Sequence, residues 1–404
     1  MTGPTSAVAA LREPSAPRSS WWRYGEARLD PRRNSLNILR LVFALMVLVA
    51  HGWYMAGEGV GLHIANENLG GWAVFGFFAI SGYLITGSRF SKPLGEYLVH
   101  RVARIFPAFI VCLVVTAFVF APVAYLRVHG TLDGLMTTPT TPLNYVIGNA
   151  TLRMFAFDVA GTPGNVPYPA AWNGSLWTLY YEFLCYVVVA VLGSISVFRR
   201  SIWGIATAFV ASVAFQVALP VLSPYLQNNG DVGFMAKLLP VFLAGGLMHS
   251  LRHRVPLTWP GAVVALSISM LLISQHNRTG PQLSAPLVTY VILWVGAVLP
   301  SPELLRRHDI SYGIYIYAFP VQQLLAMAGA YRWGLIAYDV AAAIATVPFA
   351  AASWLLVERP VMRRARRSTS HRAQVPTREI EHSSVDAGSA RVEQVGQRAG
   401  EAVA

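Results

Sequence analysis

NILRLVFALMVLVAHGW, residues 37–53, decides the fold. From Ile38 to Ala56 the chain is an almost unbroken apolar run, close to the roughly 20 residues a helix needs to cross a hydrocarbon core. Only two ionisable side chains interrupt it, Arg40 near its start and His51 about 20 Å further along the axis at 1.5 Å per residue. Runs of this length recur at 69–87, 99–121, 173–193, 202–222, 233–249, 257–274, 284–300, 311–329 and 335–356. The pattern predicts an all-α, polytopic integral membrane helical bundle of about ten transmembrane helices.

Composition agrees. Of 404 residues, 54% are hydrophobic and 12% charged, against about 25% charged in an ordinary soluble domain. The net charge of +12 would suggest nucleic acid in a soluble protein. Here the positive residues occupy the ends and short connectors, which topology explains, so no nucleic-acid partner is expected. With an even number of spans, one set of connectors holds Arg89, Lys92, Arg101, Arg104, Arg199, Arg200, Arg252, Arg254, Arg306 and Arg307, the other Arg127, Arg153, Arg278 and Arg332. The excess places both termini in the cytoplasm. Cys112 and Cys185 lie in apolar runs and imply no disulfide framework.

The expected organisation is a basic cytoplasmic segment at 1–36, preceding an uncleaved first span, a transmembrane domain at 37–360, and a disordered cytoplasmic tail at 361–404. The longest connector, 122–172, is extracytoplasmic in this topology. It contains YVIGNATLRMFAF (145–157), a short interfacial or re-entrant element, and the turn-rich GTPGNVPYP (161–169); it is either a lid over a substrate site or a plain connector. No internal repeat is visible.

Ionisable side chains at membrane depth are costly unless they face a partner or water. His51 reads as a general base for an alcohol nucleophile, or as a histidine that holds two helices together by a hydrogen bond. Arg40 either snorkels to headgroups or contacts a ligand phosphate. In HRVARIFPAF (100–109), Arg101 and Arg104 share a helical face; they suit a polyanion, and positive-inside placement accounts for them equally. Glu182, within SLWTLYYEFLCY (175–186), should face the bundle interior, orienting His51 or a substrate hydroxyl, or pairing structurally. Trp172, Trp177, Tyr180 and Tyr181 form an aromatic belt or a surface for sugars. Ser81 and Gly82 in FFAISGYLIT (77–86) are a small pair that permits close helix approach. No metal-ligand cluster, Walker motif, GxSxG or GxGxxG is present.

Taken in order, the Arg40 to His51 arrangement, FFAISGYLIT, RVARIFP, SLWTLYYEFLCY, SYGIYIY and VERP resemble the membrane acyltransferase 3 family of bacterial cell-envelope O-acyltransferases, over about 80% of the chain from Asn37 to Pro360. The resemblance implies a multi-pass protein of the bacterial inner membrane. It implies acetyl-CoA or another acyl-CoA as cytoplasmic donor, no metal, and a hydroxyl of an envelope sugar, glycan or glycolipid as acceptor. Homo-oligomerisation stays open.

Residue by residue, the resemblance makes His51 the key catalytic histidine with Glu182 beside it. Arg40, Arg101 and Arg104 become donor-binding arginines, and Trp177 and Tyr181 acceptor-binding aromatics. Two positions depart from the family: Phe183 stands where many relatives have a second Glu, and Ala318 where many have a His after SYGIYIY. Residues 361–404 offer no fused hydrolase-like domain, so presenting the acceptor would fall to the spans and loops. Direct transfer with His51 as base and an acyl-His51 intermediate both fit. The alternative class is a proton-coupled transporter or flippase of an envelope precursor, using His51 and Glu182 as a proton path.

Overall fold

The structure, a computed structural model, describes residues 27, 29–30, 33–275 and 278–374. Within them the chain is all-α but for one hairpin, in which His63–Ile64 pairs antiparallel with Glu67–Asn68. The helices are α1 (Leu36–Ala56), α2 (Leu69–Ser91), α3 (Leu94–Val115), α4 (Ala121–His129), α5 (Pro142–Asn149), α6 (Trp177–Leu192), α7 (Ser196–Arg200) and α8 (Ile202–Leu222). They continue with α9 (Gly230–Leu251), α10 (Trp259–Gln275), α11 (Gly280–Leu283), α12 (Ala285–Val298), α13 (Glu303–Arg307), α14 (Ser311–Met327), α15 (Leu335–Ala352) and α16 (Arg359–Gln374).

All ten apolar runs are helical, yet among the described residues only 6 helices are long and apolar enough to cross a membrane. These are Leu36–Ala56, Leu69–Ser91, Leu94–His129, Ile202–Leu222, Gly230–Leu251 and Leu335–Thr369. The expectation of ten is corrected accordingly. Helices α6, α10, α12 and α14 have 16, 17, 14 and 17 residues, about 21–26 Å of rise against a hydrocarbon core of about 30 Å. Counting apolar residues overestimates them because capping turns and tight connections take residues from both ends of each run.

Two boundaries also move. The third span does not stop near 121: a π-helical turn at Thr116–Phe120 carries α3 into α4, so the long connector is helical up to His129 and again across α5. At the far end a second π-helical turn, Ser353–Glu358, leads into α16, and the helix runs past residue 361, where the sequence reading begins the tail. The rest of that tail, 375–404, and most of the basic segment 1–36 lie outside the described residues.

Glycine sets the closest helix contact. A Cβ at Gly82 of α2 would stand 1.9 Å from the Phe242 carbonyl oxygen of α9, and one at Gly245 of α9 would stand 2.2 Å from the Ala79 carbonyl oxygen. The two backbones therefore touch where each lacks a side chain, as the small pair at Ser81 and Gly82 suggests.

The bundle has two polar ends. At the arginine end, the start of α1 is tied to α13 by Asn37 Nδ2 donating to the Leu305 carbonyl (3.2 Å), and Arg89 Nε at the end of α2 donates to the Ala190 carbonyl of α6 (3.2 Å). At the hairpin end, Asn68 caps α2 by accepting from the Gly71 amide (2.8 Å). Arg153, beyond α5, pairs with Asp231 at the start of α9 (2.8 Å).

Candidate active site

At the arginine end lies a slot of about 480 Å³ between α1, α2, α3, α13 and α16. Its charged or basic wall includes Arg40, Lys92, His100, Arg101, Arg104, Arg306, Arg307 and Arg366, with Asp309 as the one carboxylate among the described residues that line it. Three of the sequence-derived candidates, Arg40, Arg101 and Arg104, thus share one wall.

Their electrostatic situations differ. Arg104 forks between Asp309 (2.7 Å) and Glu358 (3.1 Å), and Arg40 reaches the same Asp309 oxygen (2.9 Å). Two guanidiniums and two carboxylates balance, and the Ser311 hydroxyl and amide also donate to Asp309. Burial by itself pushes the Asp309 carboxyl up, but Arg40 and Arg104, helped by Ser311, hold it down at about 2.

Arg101 has no ion-pair partner among the described residues. Its guanidinium carbon lies 5.8 Å from the Tyr97 ring centroid and 5.9 Å from that of Tyr186, within cation–π range, and its Nε is buried without a hydrogen bond. A half-buried cation held by aromatic faces keeps its charge available for an anion.

At the other end a cavity of about 410 Å³ is lined by His51, Tyr54, the 63–68 hairpin, Tyr168, Ser175, Trp177, Thr178, Phe234, Lys237, Tyr315 and Phe319. His51 meets Phe319 edge-on with centroids 5.0 Å apart, and its Nδ1 is buried without a hydrogen bond. Trp177 presents an aromatic wall, backed by Phe234 with ring centroids 4.6 Å apart. Lys237 is ion-paired with Glu67 of the hairpin.

Between slot and cavity is a constriction of about 30 Å³, room for about one water. Arg40 lines both it and the slot, and Val74, Thr178 and Tyr315 line both it and the cavity. Glu182 stands in this neck. One of its oxygens accepts from Ser81 (2.7 Å) and Tyr186 (2.6 Å), and no hydrogen bond joins it to His51 among the described residues. The expectation that Glu182 orients His51 or a substrate hydroxyl thus finds no direct contact with His51: the Ser81 hydroxyl of α2 and the Tyr186 hydroxyl, one turn along α6, both donate to its Oε1. Tyr181 is likewise moved off the cavity wall: it is buried against Trp177 and donates to Asp231 (2.7 Å).

The neck explains why SLWTLYYEFLCY and SYGIYIY occur together. Asn173 Nδ2 donates to the Ile316 carbonyl (2.7 Å), the Tyr315 hydroxyl donates to the Ser175 carbonyl (2.7 Å), and Thr178 and Tyr315 share a short hydrogen bond. The start of α6 is thereby locked onto α14, and the loop before it is held by Gln323 Nε2 donating to the Tyr168 and Ala171 carbonyls (2.7 and 2.8 Å).

Sequence reasoning overlooked Asp309, whose signal was a lone acid after Arg306 and Arg307. Lys237 carried no usable pattern alone, since its partner is 170 positions away in the hairpin. Among the described residues no group of three or more His, Cys, Asp or Glu side chains is arranged to hold a metal.

A helical membrane bundle with a basic slot and a histidine cavity on either side of a polar neck defines a class of integral membrane protein. Residues 33–355 match the acyltransferase domain of the acyltransferase 3 family, and the chain belongs to that family of membrane acyltransferases. It is similar to an O-acetyl transferase of Shigella phage Sf6, with 27% identity over 348 residues covering 83% of this chain and 97% of the relative. It is similar also to nodulation protein 10 of Rhizobium leguminosarum bv. viciae (28% over 366 residues, 82% and 94% covered). A third relative is the exopolysaccharide production protein ExoZ of Rhizobium meliloti (27% over 329 residues, 78% and 95%). No solved structure matches.

Proposed function

We propose that this protein transfers an acetyl or other short acyl group from acyl-CoA, entering at the arginine end, to a hydroxyl of an envelope sugar or glycolipid held at the hairpin end. The observation that carries the reading is the basic slot connected through shared wall residues to the cavity of His51. A proton-coupled carrier has no need of a slot so rich in arginine. The names of the relatives, an O-acetyl transferase and an exopolysaccharide production protein, support acetyl and glycan as the two partners.

The chain's own residues supply the chemistry. Arg101, with Arg40 and Arg104 beside it, binds the donor phosphates. Thr178, Tyr315 and Glu182 flank the neck, which must widen to admit the donor's thioester arm. Trp177 packs against the apolar face of the acceptor sugar, with Glu67, Asn68 and Lys237 offering hydrogen bonds near the mouth. His51 takes the proton from the acceptor hydroxyl as its oxygen attacks the thioester carbonyl, then returns it to the departing thiolate. The positive-inside excess orients the arginine end to the cytoplasm, where acyl-CoA is found, and the hairpin end away from it.

The test is release of free CoA from acetyl-CoA by the purified protein in nanodiscs, for wild type, His51→Ala and Arg101→Ala. Release that falls at least about a hundredfold with His51→Ala and needs higher donor concentration with Arg101→Ala supports the reading. Wild type that neither binds nor turns over short and longer acyl-CoAs sinks it.

A further inference from the structure

A second polar seam lies behind His51. Leu48, His51, Gly52 and Met55 follow one another at helical spacing and form one stripe of α1, and α14 and α15 pack onto it. Gln322 Nε2 of α14 donates to the Leu48 carbonyl (3.0 Å), and the Tyr338 hydroxyl of α15 donates to the Gln322 carbonyl (2.6 Å). Ala318 and Ala342 close around Leu48. Asp339 of α15 lies directly on Gly52: a Cβ there would come within 1.9 Å of Asp339 Oδ1. Glycine at 52 is what admits the carboxylate to the helix that carries His51.

Three polar atoms in this seam are buried without a hydrogen bond: His51 Nδ1, Gln322 Oε1 and Asp339 Oδ1. They belong to three different helices: α1 carries His51, and Gln322 of α14 and Asp339 of α15 lie on the same turn of α1 at Leu48 and Gly52. A carboxylate 7% exposed inside a membrane bundle is expensive unless it meets a donor. The three atoms are complementary in kind. A protonated Nδ1 is one donor and the two oxygens are two acceptors, which is the complement of a single water accepting one hydrogen bond and donating two.

We propose that Asp339 is a positioning residue for His51, acting with Gln322 through one bridging water. The network holds the proton on Nδ1, presents the bare Nε2 to the cavity, and stabilises the imidazolium formed during transfer. The proposal rests on acyl transfer at His51 as read above. In the step it supports, the acceptor O–H bond breaks with its proton going to Nε2 while the new O–C bond forms. The C–S bond then breaks with its electron pair going to sulfur, which receives the proton from Nε2. Asp339 neither gains nor loses a proton.

The experiment measures CoA release in nanodiscs for Asp339→Asn, alone and combined with His51→Ala. The carboxamide has the shape of the carboxylate and lacks its charge. We expect kcat to fall at least about tenfold with the donor KM within about twofold, and no further loss when the change is added to His51→Ala. An unchanged kcat, or an equal loss in the His51→Ala background, overturns the proposal. Should Asp339→Asn fail to fold, the ring 15N shifts of labelled His51 in the wild-type protein decide: a protonated Nδ1 supports the network and a protonated Nε2 overturns it. That readout also stands apart from turnover, so a wild-type protein without His51-dependent CoA release would refute the acyl-transfer reading separately.

Discussion

At the scale of the residue, the arginines of the slot divide by their partners. Arg104 neutralises Asp309 and Glu358 and is 14% exposed, so truncating it strands two carboxylates. Arg104→Ala should cost about 3 kcal/mol or more of stability, the usual result of removing one partner of a buried ion pair, seen as a large drop in the melting temperature in detergent. Arg101→Ala breaks no ion pair among the described residues. It should melt close to wild type while weakening donor binding about tenfold, as loss of a phosphate contact does, measurable by titration with CoA. Equal destabilisation by both substitutions would contradict this division.

Asp309 adds a pH signature. Its folded value, about 2, lies below the ordinary 3.8, so its ionised form favours the folded state. The contribution is complete above about pH 4 and disappears as the pH falls through about 2, worth roughly 2 kcal/mol for a shift of this size. Asp309→Asn should flatten that part of the acid-unfolding curve, and an unchanged curve would refute the assignment.

At the scale of the element, the meeting of α2 and α9 depends on missing side chains. Gly82→Val places methyl groups where the Phe242 carbonyl oxygen now stands, and the helices must separate. Overpacking of this kind costs about 1–3 kcal/mol or more, and because Ser81 reaches Glu182 from the adjacent position, the neck should be disturbed as well. A thermal melt and a CoA-release assay should both show the loss, with Gly82→Ala milder than Gly82→Val. The same reasoning accounts for the shortened spans: α6 starts only at Trp177 because residues 173–175 are committed to hydrogen bonds with α14, a demand that no local pattern announces.

At the scale of the whole molecule, the proposed direction of transfer fixes which end faces which compartment. Cys112 and Cys185 are fully buried, so a cysteine placed on the surface would be labelled against a quiet background. A membrane-impermeant maleimide applied to intact cells should modify Asn66→Cys, on the hairpin, and spare Arg200→Cys, at the arginine end, until the cells are opened. The reverse pattern would invert the molecule and with it the proposed path of the acyl group.

Much was already decided by sequence: the helical membrane class, the family, and the placing of His51 beyond Arg40 along one helix. These depend on run length and on ionisable residues within apolar surroundings, which are local properties of a chain in hydrocarbon. Only the tertiary structure decided that Glu182 answers to Ser81 and Tyr186, that Asp309 joins Arg40 to Arg104, that Lys237 meets Glu67, and that Asp339 lies on Gly52. The physical reason is common to all four. Each includes a contact between segments far apart in sequence, whose partner is chosen by how close two backbones come and which buried polar group still lacks a hydrogen bond.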